Sequence, residues 1–169
     1  MKHSPIAILL SSFVLLSIFL CDLPLRAQSG DEAAPRFNAK TMNGEKFTND
    51  SLKGKVVLLQ FWTTWCPYCK QDQAMVERLE KDLSAKGLVI LAVDVNESKK
   101  AVTNYLKDHP RSCRVVLMED TNLAARFEAK SFPVYIVINK DGNIEDELRG
   151  SVAETGLRNV LRRAGLPVD

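Results

Sequence analysis

Two cysteines separated by two residues, in Trp65-Cys66-Pro67-Tyr68-Cys69, constrain this chain more than any other stretch. An apolar run, Val56-Val57-Leu58-Leu59-Gln60-Phe61, leads toward them, and a helix-patterned segment starts at Lys70. A cysteine pair at a strand-to-helix junction has the layout of a dithiol redox site. A helix N-terminus presents unpaired N–H groups and partial positive charge, and both stabilise a thiolate on Cys66. Pro67 suits the first helical position, where a missing N–H costs nothing. Spacing alone leaves two other readings open. One is a static disulfide. The other is half of a zinc site, although no second CxxC or paired His accompanies it.

At 169 residues the chain has room for one domain with a real core, not two. A formal charge of +2 is too small to argue for nucleic acid or an anionic membrane surface. Lys2 and His3 precede an apolar stretch from Ile6 to Leu20, relieved only by serines, and Asp22 to Ala27 follows. A basic start, a short apolar region and a small residue before the cut make a secretory signal. Residues 1–27 are therefore expected to be a signal peptide, 28–34 a flexible lead-in and 35–167 the domain. An uncleaved anchor is an alternative, yet the stretch falls short of the roughly 20 apolar residues a span needs. Acylation at Cys21 is another, though Leu20 stands where a small residue is expected. All three place the domain in a periplasmic or other extracytoplasmic space, where disulfides persist. Without Cys21, three cysteines remain, Cys66, Cys69 and Cys113, and an odd number argues against a stapled scaffold.

Asn43-Gly44 marks a hairpin turn within Phe37 to Phe47. Val56 to Phe61 and Leu88 to Val95 read as strands buried on both faces. Between them Met75, Val76, Leu79 and Leu83 recur at helical spacing, with Gly87 closing that segment. Ala101, Val102, Tyr105 and Leu106 share a second helical face, ended by His109-Pro110. Val115 to Met118 is a short strand, and Leu123, Ala124 and Phe127 mark a short helix. Val134 to Ile138 is a strong strand, with Asp141-Gly142 turning into Ile144 to Leu148. Leu157, Val160, Leu161 and Ala164 make a closing helix. The order is a hairpin, then alternating strands and helices, then two strands and a helix. Such alternation implies parallel βαβ units with an antiparallel edge.

The segment Phe61-Trp62-Thr63-Thr64-Trp65-Cys66-Pro67-Tyr68-Cys69-Lys70 resembles the active-site segment of the thioredoxin superfamily. Further stretches resemble its TlpA/ResA-like extracytoplasmic branch. These are Ala34-Pro35-Arg36-Phe37, Leu52 to Val57, Ala92 to Ser98, and Phe132-Pro133-Val134 with Asp141-Gly142. The resemblance covers roughly residues 34 to 166. It implies an α/β thioredoxin fold, a central mixed β-sheet flanked by helices, with an N-terminal β-hairpin extension.

The resemblance makes Cys66 the nucleophile and Cys69 the resolving thiol, which lies one helical turn in. Pro67-Tyr68 is the dipeptide typical of glutaredoxins and implies an intermediate redox potential. Pro133 aligns with the family's cis-proline, which leaves strand-like backbone groups free to pair with a substrate chain; a trans proline starting an edge strand is the plain alternative. Phe132 departs from the Thr, Val or Ile often found before that proline, so its ring narrows the groove or adds an apolar contact. Trp65 is expected to shield Cys66 and meet partners, whereas Phe61 and Trp62 pack. Thioredoxins bury an Asp at the position of Gln60, and Gln60 cannot titrate. Asp72, three residues after Cys69, matches the acidic residue that ResA-like reductases place near the site. It is either the proton acceptor for Cys69 or a solvated helix carboxylate. Gly150 matches a glycine on the active-site face, or is a plain turn. Cys113 reads as a small buried hydrophobe, with a regulatory or dimer-forming thiol as the alternative.

The expected activity is thiol–disulfide exchange on protein cysteines, run as a reductase of the cytochrome c maturation or copper-site type. Electrons come from a membrane thiol donor, with no cofactor and no metal, and the protein is a monomer. An oxidase or isomerase of secreted proteins is one alternative, and a copper-binding or chaperone-like module is another.

Overall fold

The computed structural model describes residues 30–168. The expected signal, its alternatives and Cys21 lie outside the described residues, as does the start of the lead-in.

The fold is α/β. Seven strands are β1 (Asn38–Thr41), β2 (Lys46–Thr48), β3 (Val56–Trp62), β4 (Leu88–Asp94), β5 (Arg114–Thr121), β6 (Val134–Ile138) and β7 (Ile144–Arg149). Four helices are α1 (Pro67–Leu83), α2 (Lys99–Asp108), α3 (Leu123–Arg126) and α4 (Glu154–Arg163). The strands form one mixed sheet in the order β2-β1-β5-β4-β3-β6-β7. Strands β3, β4 and β5 run parallel through their helical crossovers. The β1–β2 hairpin and the β6–β7 hairpin extend the sheet antiparallel at either side. This is the expected architecture, extension included.

Strand β3 sits at the centre with all seven residues buried. Alternation along it divides the core. Val56, Leu58 and Trp62 face α1 and α4, where Val76, Leu79, Leu157 and Leu161 meet them. Val57, Leu59 and Phe61 face α3 and the N-terminal extension, against Leu123, Phe127 and Phe37. Leu79 is fully enclosed, and truncation to alanine at such a site costs about 2–5 kcal/mol.

Two boundaries differ from the sequence reading. Helix α1 ends at Leu83, and a 3-10 turn over Ser84–Lys86 carries the chain to Gly87, whose φ of 101° supplies the left-handed exit. Strand β5 runs to Thr121 because β1 pairs with its far half, Ala39 opposite Thr121. The polar residues there hid a strand that is held by its neighbour and not by its own apolar pattern.

Candidate functional site

The cysteines lie where β3 ends and α1 begins. Cys66 is the N-cap of α1, with extended backbone angles, and Pro67 is the first helical residue. The Cys69 amide donates to Cys66 Sγ at 3.1 Å, so a free N–H of the first turn points at that sulfur. The two sulfurs are bonded to each other, and both residues are buried, at 2% and 1% exposure. In this oxidised form the two are equally enclosed.

An aromatic rim surrounds this buried pair. Trp65 and Tyr68 are exposed by 64% and 58% and flank Cys66 in the chain. The Trp65 ring meets Phe132 edge-on, with centroids 6.1 Å apart. The Phe132–Pro133 peptide is cis. Strand β6 starts at Val134, opposite Phe61 of β3, which brings Pro133 to the sheet end that carries the cysteines. Gly150 donates its amide to the Pro133 carbonyl at 2.8 Å. A Cβ on Gly150 meets nothing within 4 Å, so its requirement is the φ of 84°, not close approach. Phe61 and Trp62 are fully buried packing residues, as expected.

Beneath the pair lies a polar layer. Gln60 and Tyr135 are register partners across β3 and β6, and both are fully buried. Gln60 Nε2 donates to the Tyr135 hydroxyl at 3.3 Å, and that hydroxyl donates to Asp72 Oδ2 at 2.8 Å. Ser151 Oγ donates to Asp72 Oδ1 at 2.5 Å. Asp72 is only 5% exposed, so it is not the solvated helix carboxylate of the second reading. Arg111 Nη1 donates to Gln60 Oε1 at 2.8 Å, and its guanidinium lies 4.0 Å from the Trp62 ring centre. Burial, together with the nearby Asp72 charge, pushes the Tyr135 phenol far above its ordinary range.

A second buried carboxylate, Asp94, ends β4 and pairs in register with Trp62. Burial, then the neighbouring Glu97, pushes its carboxyl up to about 8. Burial alone would raise Glu97, but hydrogen bonds from Asp94 and from the Thr64 hydroxyl and amide hold it below the usual carboxylate range. Glu97 accepts from that amide and that hydroxyl at 2.6 Å each. Thr64 stands two residues before Cys66, so Glu97 fixes the loop that leads into Cys66.

Arg111, Tyr135, Ser151, Asp94 and Glu97 were not singled out for a role from sequence. A hydroxyl in the aliphatic run Val134-Tyr135-Ile136 and a carboxylate ending Leu91-Ala92-Val93 were the available signals, since buried polar groups demand partners. Cys113 is free, buried and pushed up to about 11, chiefly by burial, which fits a small buried hydrophobe. His109 caps α2 and stacks edge-on against Tyr105. Among the described residues, no group of three or more His, Cys, Asp or Glu could hold a metal ion. No helix among them is long and apolar enough to cross a membrane.

Known proteins are similar to this chain. The Redoxin family profile matches residues 28–161. The thiol-disulfide oxidoreductase ResA of Bacillus subtilis is 32% identical over 128 residues, covering 76% of this chain and 72% of that protein. The ResA of Bacillus cereus is 30% identical over 151 residues, covering 89% and 86%. Among solved structures, a thioredoxin-family thiol:disulfide interchange protein of Chlorobium tepidum superposes with a TM-score of 0.69 at 26% identity, covering 79% of this chain and 95% of that one. StoA of Bacillus subtilis superposes at 0.66 with 22% identity, covering 76% and 97%, and shows the shared fold. The chain therefore belongs to the Redoxin family and is a thiol–disulfide oxidoreductase of the ResA type, with Cys66 and Cys69 as its dithiol pair.

Proposed function

We propose that this protein is an exported disulfide reductase acting on protein cysteines outside the cytoplasm. The observation that carries the reading is Asp72, a buried carboxylate with donated hydrogen bonds, one turn beyond Cys69 on α1. Residues 1–27 carry the export signal or anchor, and 35–167 form the domain. Substrates of the kind met in cytochrome c maturation or copper-site assembly fit this role, and a membrane thiol returns the reducing electrons.

In the reduced enzyme the Cys66 thiolate, favoured by the α1 amides, attacks one sulfur of a substrate disulfide. A Cys66–substrate disulfide forms, and the other substrate sulfur leaves as a thiolate. Cys69 then gives its proton to Asp72, and its sulfur attacks Cys66 Sγ. The Cys66–Cys69 disulfide forms, the substrate leaves with its second thiolate, and two electrons have passed from enzyme to substrate. Trp65, Pro67, Tyr68 and Phe132 supply the apolar contact for the substrate, and the backbone before Pro133 aligns it.

The equilibrium potential of the Cys66–Cys69 couple against glutathione tests the direction. A potential more reducing than about −200 mV supports the reductase, and one near about −120 mV, the range of strong oxidants, overturns it.

A further inference from the structure

We propose that Arg111, Gln60, Tyr135 and Ser151 form a one-way hydrogen-bond relay that positions Asp72 and presents only donors to its carboxylate. The proposal rests on the role of Asp72 given above and extends it to four positioning residues.

The direction of the relay follows from what each group can donate. A guanidinium has donors only, so Arg111 compels Gln60 to turn its carbonyl oxygen toward it. The amide nitrogen of Gln60 then faces Tyr135 and can only donate. The Tyr135 oxygen accepts that bond, which leaves its single proton for Asp72. Ser151 brings a second hydroxyl to the other carboxylate oxygen. Every donor therefore points toward Asp72, and hydrogen bonds donated to a carboxylate favour its charged form. Gln60 thereby acquires a reason. A carboxylate at that position would accept from both Arg111 and Tyr135 and would draw the tyrosine proton away from Asp72.

The surrounding charges leave this direction intact. Arg111 also feels Asp94 at the end of β4, Tyr105 on α2, and Cys113 beside β5. Glu97 acts on Asp94 and Tyr105, and His109 stacks on Tyr105. The bonds to Asp72 come from Tyr135 and Ser151.

The test is the pH dependence of resolution in single turnover. The reduced protein is mixed with a stoichiometric aromatic disulfide, 5,5′-dithiobis(2-nitrobenzoate). The first thionitrobenzoate is released by Cys66, and the second reports attack by Cys69. Weakening the relay moves the acid limb of the second step upward. The midpoint of that limb is expected to rise by about one pH unit, a tenfold weaker acid, in Tyr135→Phe and Gln60→Glu. Ser151→Ala, at an exposed residue, is expected to raise the midpoint by about half a pH unit, a threefold change. A merely structural defect lowers the rate by one factor at every pH and leaves the midpoint alone. An unchanged midpoint in Tyr135→Phe and Ser151→Ala overturns the relay. Retention of the acid limb in Asp72→Asn overturns the role of Asp72 itself, so the two failures are distinguishable.

Discussion

Asp72 and Asp94 are both carboxylates buried near the end of the sheet that carries the cysteines, yet their surroundings are opposite. Asp72 receives hydroxyl protons from Tyr135 and Ser151. Asp94 lies beside a second carboxylate, Glu97, and holds its own proton up to about pH 8. Burial is common to both, and it is the largest cause of the rise at Asp94. What differs is whether the neighbours offer protons or negative charge. One carboxylate is held by donated hydrogen bonds, as the proposed proton acceptor for Cys69, and the other shares its proton with the acceptor that fixes the Thr64 loop.

The largest expected effect is at Asp72. Asp72→Asn removes the proposed proton acceptor and should slow resolution by Cys69 on the order of 100-fold at pH 7, measured by stopped flow. A loss below threefold would make the two carboxylates equivalent and break the comparison.

Asp94 should instead report through stability. Its carboxyl is raised from 3.8 to about 8 in the folded chain, so the folded state binds the proton more tightly than the unfolded one. Stability from this group is fully present below about pH 4 and is lost as the pH rises toward 8. Asp94→Asn keeps a neutral side chain able to donate to Glu97, and should gain roughly 1–3 kcal/mol at pH 8 while gaining little at pH 4. Urea unfolding at the two pH values checks this, and an equal change at both would refute the assignment.

Glu97→Gln sharpens the same contrast. Removing the charge beside Asp94 takes away two of the causes that raise it, so the stability loss should finish below pH 8. The curve of melting temperature against pH should then flatten earlier than in the parent. The smallest expected effect on stability lies at the rim. Trp65→Ala and Tyr68→Ala should change unfolding free energy by less than about 0.5 kcal/mol, because both rings are largely exposed. Their effect should appear as a raised KM for a protein substrate.

Local patterns made most of the fold legible in sequence. Strand β3 and helix α1 declare themselves by an unbroken apolar run and by spacing of three and four, and the cysteine pair marks the junction between them. The resemblance supplied the cis bond before Pro133 and brought Asp72 forward as the acid of the site. The polar layer was not legible, because its contacts are long-range. Arg111 and Gln60 are 51 residues apart, and Tyr135 and Asp72 are 63 apart. Gln60 stood out as a replacement for an acid, but its use as the link between Arg111 and Tyr135 depends on β3 and β6 being neighbours in register. Arg111 and Ser151 lie in connections with no periodic pattern to mark them.

Trapping the exchange intermediate tests the central claim most directly. Cys69→Ser, reduced and mixed with a disulfide-bonded peptide, should accumulate one mixed disulfide. Mass spectrometry should place it on Cys66, and Cys66→Ser should form none. An adduct on the buried Cys113, or turnover retained without Cys66, would contradict the assignment of nucleophile and resolving thiol.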